Sequence, residues 1–147
     1  MTAGMPPRPG SVIRYAYLWA DEDAAGRYEG RKDRPALVLA LSAKTADGGS
    51  QLLVLAVMHT APAEPANAVR FPAEEKRRLG LDDIPAWIIT TEGNAFIWPG
   101  PDIRPIPDRA AGTMTYGEVS RSLLQQVARS YLANRERQRT RLVACTT

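Results

Sequence analysis

The sequence predicts a mostly β domain with helices, an α+β chain, and three observations carry that expectation. Two nearly continuous apolar runs, Ala36 to Leu41 and Gln51 to Met58, have the length and Leu/Val content of buried strands. The turn signal Asp47-Gly48-Gly49 lies between them and folds the pair into a hairpin. Near the C-terminus, Val119, Leu123, Val127 and Tyr131 recur every four residues, the period of one apolar helix face.

Length and composition bound the rest. A chain of 147 residues is one domain on the usual prior, and 44% apolar with 24% charged residues is ordinary globular composition. No apolar run is long enough to cross a bilayer, and Pro6, Pro7 and Pro9 leave no secretory core, so no membrane role and a cytoplasmic setting are expected. One cysteine, Cys145, and one histidine, His59, supply neither a disulfide nor a metal-ligand cluster, and no cofactor is expected. The net charge of +3 is uneven: from Glu118 onwards six Arg face two Glu. Such a segment suits an RNA or an acidic protein, or simply a solvated helix face.

Residues 1–8 read as a flexible arm, residues 9–140 as a single domain and residues 141–147 as a tail. Pro9-Gly10 is a turn, after which Ser11 to Trp19 alternates as a half-buried strand. The charged, glycine-containing stretch from Asp21 to Lys32 reads as a mobile loop. Pro35 fits the first position of the next strand, where no ladder donor is needed, and biases Arg34 towards extended backbone. After the hairpin comes a short strand, Ala68 to Phe71. Pro72 to Gly80 then reads as a two-turn helix, with acids early, bases late and glycine just past its end. Trp87 to Thr91 and Ala95 to Trp98 read as short strands around a Glu92-Gly93-Asn94 turn. Ile103 to Ile106 reads as an edge strand, restricted to the edge by Pro105. Thr115 and Glu118 have capping-box spacing, which opens a helix running to about Arg139.

Antiparallel pairing brings the end of the 51–58 strand beside the start of the 36–41 strand, so Arg34 and the His59-Thr60 pair fall on one sheet edge. A base that titrates near neutrality, a fixed cation and a hydroxyl in one place suit the cutting of RNA. RNA supplies its own nucleophile, the 2′-hydroxyl, so the protein needs only to move protons and stabilise charge. Each residue also has a plainer reading. A lone histidine is commonly a structural hydrogen-bonder, and Arg34 could pair with Asp33 or Glu29 as surface ions often do. Glu92 reads as a turn acid, and Trp87, Phe96 and Trp98, which could stack bases, read as core at strand spacing.

Pro9-Gly10-Ser11-Val12-Ile13, the segment Glu29 to Arg34 followed by Pro35-Ala36-Leu37-Val38-Leu39, and the apolar strand ending in Thr60-Ala61-Pro62 together resemble the PemK/MazF family of toxin–antitoxin ribonucleases. The resemblance spans roughly residues 9–106, and its branch is PemK-like. It implies a small, strongly bent SH3-like β-barrel of the PemK/MazF/CcdB kind, with a short mid-chain helix and a longer C-terminal one. It also implies a homodimer, single-stranded RNA in the dimer groove, and a cognate antitoxin that blocks that groove. Arg34 and Thr60 match the family's phosphate-contacting and activating residues, and Glu29 its acidic loop residue. His59 sits where many relatives have no histidine, so its place among the candidate catalytic residues rests on the hairpin alone. Arg31 and Lys32, with Arg34, are the candidate RNA-binding cations. The segment 72–101 is longer than in compact relatives. The rival reading is a non-enzymatic toxin or RNA-binding module of the same fold; the gyrase-poison branch ends in Trp-Gly-Ile, and this chain has no Trp after Trp98.

Overall fold

The computed structural model describes residues 6–16, 33–44, 49–98, 103–107, 109–110, 113–137 and 141–144. The order of elements is β1 (Ser11–Ala16), β2 (Asp33–Lys44), β3 (Ser50–Met58), a 3-10 turn (Pro65–Asn67), β4 (Ala68–Phe71), α1 (Ala73–Arg78), β5 (Ala86–Ile89), β6 (Glu92–Trp98), β7 (Thr115–Glu118), α2 (Arg121–Glu136) and β8 (Arg141–Ala144). The mostly antiparallel sheet runs β4-β5-β3-β2-β1-β7, with β6 on β3 and β8 on β6, and it curls into a half-barrel carrying the two helices.

The hairpin read from the apolar runs is the centre of this sheet, and β3 is its hub. Its first half pairs with β6, Ser50 opposite Trp98 through Val54 opposite Asn94, while Val57 and Met58 pair with Ile88 and Trp87 of β5. β5 and β6 thus follow one another along the same side of β3, and the expected turn at Glu92-Gly93-Asn94 is instead the start of β6. The reason is steric. A Cβ on Gly93 would stand 2.8 Å from Leu53 Cδ1, so this glycine permits a close strand approach where a turn was expected.

Alternation places two cores on opposite faces. Ile13, Tyr15, Ala36, Val54, Phe96 and Trp98 pack on one, and Tyr15 stacks on Phe96 with ring centroids 4.9 Å apart. Leu37, Leu55, Ile88, Leu123, Val127 and Tyr131 pack on the other, so α2 covers that second face. Burying a side chain of this size contributes ~1.5–3 kcal/mol, which is why a sixteen-residue helix stays docked.

The helix begins later than its capping-box spacing implies. Thr115 to Glu118 is a strand, paired with β1 from Ser11 opposite Glu118 to Ile13 opposite Thr115. A register shift there is absorbed by Gly117 at φ 135, a backbone angle that Thr or Glu could not share cheaply. Ser120 is the true cap, its Oγ accepting from Leu123 N–H at 3.1 Å. The glutamate of the cap comes from another helix: Glu75 of α1 accepts from Ser120 N–H at 2.7 Å and from its hydroxyl at 2.8 Å. α1 itself follows its sequence signals, with Glu74 and Glu75 first, bases last, and Gly80 at φ 74 beyond the end.

One expectation is corrected at the edges, and two terminal segments gain detail. Ile103 makes a single bridge to Tyr15, and no strand extends to Ile106, because Pro105 has no N–H to continue a ladder. Arg141 to Ala144, read as tail, pairs parallel with Glu92 to Ala95. Of the N-terminal arm, residues 6–8 are described and Pro7 is buried.

Candidate functional site

The β2–β3 hairpin delivers Arg34, His59 and Thr60 to one place, because β2 begins where β3 ends. Ala36 pairs with Ala56, which puts Arg34 level with Met58, and Arg34 Nη1 donates to Met58 Sδ at 2.7 Å. His59 and Thr60 leave the strand directly after Met58 and are exposed. Opposite them stand α1 and the loop that follows it. Together these elements enclose a cleft of about 420 Å3 whose lining includes Arg34, His59, Thr60, Lys76, Leu81 and Asp82.

Asp82 organises the far wall. Its Oδ2 lies 3.0 Å from His59 Nε2 and its Oδ1 2.7 Å from Lys76 Nζ. Oδ1 also accepts from Ile84 N–H at 3.1 Å, a local turn that fixes the carboxylate, and Lys76 Nζ donates again to the Ile84 carbonyl. Lys76 is 4% exposed, so its ammonium is held inside the fold by these two acceptors. Burial pushes the Asp82 carboxyl up, but the Lys76 hydrogen bond, the Ile84 N–H and the charges of Lys76 and His59 outweigh it and hold Asp82 below its ordinary value of 3.8.

The chemistry follows from this geometry. With Nε2–H of His59 donating to Asp82, the neutral ring carries its acceptor on Nδ1, and the half-exposed side chain (51%) keeps the ring within reach of a substrate. Arg34 adds a fixed cation and Thr60 a hydroxyl. Two fixed cations, Arg34 and Lys76, against one carboxylate make a cleft suited to an anionic group such as a phosphodiester.

Lys76 and Asp82 are the residues that sequence reading missed. They lie 17 and 23 positions beyond His59, in a segment to which the sequence assigns a helix but no site residue. One local signal existed: Lys76 and the C-cap residue Leu79 are three apart, and Leu79 is core, so Lys76 faces inward and needs an anion. Glu29, Arg31 and Lys32 lie outside the described residues. Phe96 and Trp98 are buried core, whereas Trp87 is only half-buried. Among the described residues no group of three or more His, Cys, Asp or Glu is placed to hold a metal ion, and no helix is long and apolar enough to cross a membrane. No family model matches the chain, and neither a curated protein nor a solved structure matches it.

Proposed function

We propose that the protein is a sequence-selective endoribonuclease toxin that cleaves single-stranded RNA without a metal ion and is neutralised by a cognate antitoxin. The observation that carries this reading is the convergence of Arg34, His59 and Thr60 in one cleft, with Asp82 bonded behind the imidazole. The SH3-like barrel of the PemK/MazF kind is the finer architecture this reading adopts, with a cytoplasmic homodimer as the working unit.

In the proposed reaction the 2′-oxygen of the substrate attacks the adjacent phosphorus. The 2′-hydroxyl gives its proton to His59 Nδ1, and the bond from phosphorus to the 5′-oxygen breaks. The leaving oxygen takes a proton from water at the open mouth of the cleft, and the imidazolium returns its proton to solvent. Asp82 holds the ring and stabilises its cationic form. Arg34 presents a planar fork to the phosphate oxygens, and the Thr60 hydroxyl donates to the same group as its charge grows.

The test is cleavage of single-stranded RNA by purified protein in EDTA, with the new ends identified. The expected products carry 2′,3′-cyclic phosphate and 5′-hydroxyl ends, from a particle of about twice 16.1 kDa. Arg34→Lys keeps the charge but loses the fork, and should cost about tenfold or more in rate. Loss of activity in chelator, or 5′-phosphate ends, would sink the mechanism. RNA binding without cleavage would favour a binding module.

A further inference from the structure

We infer that a row of side chains crossing four strands, Arg34, Met58, Trp87 and Arg70, forms a track that seats single-stranded RNA as it leaves the candidate cleft. This rests on the nuclease reading and extends it to substrate binding. The strands lie side by side in the order β4, β5, β3, β2. Arg70 pairs with Trp87, Trp87 pairs with Met58, and Met58 is bonded to Arg34. Residues directly opposite one another project from the same face, so the four stand in one line. Neighbouring strands are roughly 4.8 Å apart, so Arg34 and Arg70 are roughly 14 Å apart at the backbone.

The residues that alternate with this row confirm the face. Val57, Ile88, Val69 and Phe71 belong to the core beneath α2, so Met58, Trp87 and Arg70 point away from that helix. Along the row, exposure grows from half-buried Arg34, Met58 and Trp87 to exposed Arg70. The Arg70 guanidinium lies over the Trp87 ring, 5.3 Å from its centroid.

A cation at each end and an aromatic plane between them match the alternation of phosphate and base in a single strand. Bases stack on indole rings or on guanidinium planes without regard to sequence, and phosphates pair with the flanking arginines. A duplex offers no free base face, so the track selects single strands. The Arg70–Trp87 pair is thereby a binding element for nucleotides beyond the one cleaved at Arg34. In a protein without such a ligand, a half-exposed tryptophan and an exposed arginine in line with a cleft would contribute only a weak cation–π contact.

The experiment titrates a fluorescein-labelled, mixed-sequence single-stranded RNA of twelve nucleotides into the full chain and into Trp87→Leu, Trp87→Phe, Arg70→Gln and Arg129→Gln. Steady-state cleavage is measured on the same proteins. Trp87→Leu should weaken binding about tenfold, the scale of one lost stacking partner, while Trp87→Phe retains most of the affinity. Arg70→Gln should weaken it several-fold and make the salt dependence shallower by about one ion. Both losses should fall on KM more than on kcat. Arg129→Gln removes an exposed charge from the helix on the opposite face and should leave affinity unchanged. RNA should also quench tryptophan fluorescence in the full chain and much less in Trp87→Phe.

If Trp87→Leu and Arg70→Gln bind and cleave like the parent while Arg34→Lys is impaired, the track is wrong and the nuclease reading survives. If Arg129→Gln loses as much as Arg70→Gln, attraction is diffuse and the track is again wrong. If the parent neither binds nor cleaves RNA, both fall together.

Discussion

Two polar clusters in this protein are built from similar numbers of side chains and behave as opposites. The first joins Thr90, Ser130 and Asn134 between the sheet and α2. Thr90 and Asn134 are 0% and 1% exposed. Asn134 Nδ2 donates to the Ala66 carbonyl at 2.9 Å and to Thr90 Oγ1 at 3.0 Å, and Thr90 shares a 2.8 Å hydrogen bond with Ser130. Every member is neutral and hydrogen-bonded, Thr90 and Asn134 are buried and Ser130 half-buried, and a polar group in a core must be so engaged. The second cluster is Lys76, Asp82 and His59. It is charged, and the Asp82 and His59 side chains are 46% and 51% exposed. One carboxylate is shared between a buried cation and a ring at the lip of a cleft. The neutral cluster specifies where α2 docks; the charged one keeps a titratable group in contact with solvent. Complete satisfaction and burial mark a structural network, whereas partial exposure with mixed charge marks a place where protons can move.

Substitutions can test that contrast, from the largest expected effect downwards. Asn134→Ala removes the donor that links buried Thr90 to the Ala66 carbonyl and leaves a gap beneath α2. It should cost about 3 kcal/mol of stability in denaturant titration. A loss below about 1 kcal/mol would mean that water or local relaxation replaces the amide, and that the cluster does not hold α2.

His59→Gln should do the reverse. Turnover on RNA should fall about a hundredfold, equivalent to ~2.7 kcal/mol of barrier, with RNA affinity and thermal stability close to the parent. Full activity in this variant would return His59 to a structural role and leave proton transfer to Thr60 and Glu29.

Asp82→Asn should have a smaller effect, about tenfold on turnover, because Asp82 positions the ring without touching substrate. Its diagnostic is the split between kcat and KM: the loss should fall on kcat, with KM close to the parent's. Parental turnover, or a loss confined to KM, would show Asp82 to be only a brace for Lys76.

The smallest effect is on stability against pH. Asp82 titrates below its ordinary 3.8, so its contribution is complete above that value and is lost as pH falls through the lower folded value. Asp82→Asn should therefore flatten the acid side of the stability curve and leave its shape unchanged at neutral pH. An acid limb identical to the parent's would mean that the Lys76 pairing does not distinguish folded from unfolded chain.

Much of the fold was readable because local chemistry and tertiary demand agree in it. Arg34-Pro35 before an apolar run and the Pro72 to Gly80 dipole pattern each point to the element that forms. Failures fall where pairing overrides a local rule. Thr115 to Glu118 spells a capping box but is held in a strand by β1. Glu92-Gly93-Asn94 spells a turn but lies along β3.

The candidate site divides along the same line. The hairpin alone placed Arg34 beside His59 and Thr60, since antiparallel pairing is dictated by residues adjacent in sequence and their turn. Asp82 and Lys76 reach His59 only because α1 and its loop pack across the end of that hairpin, a contact set by the burial of Leu79 and Phe71 in the shared core. The Arg34-to-Arg70 row is likewise a property of register across four strands, and register depends on which faces the rest of the chain covers. Periodicity, turn residues and one hairpin's reach were therefore settled by the sequence itself. Which distant carboxylate meets the histidine, and which aromatic ring lies beside the arginine, were decided by packing, because those distances close only when the whole core has formed.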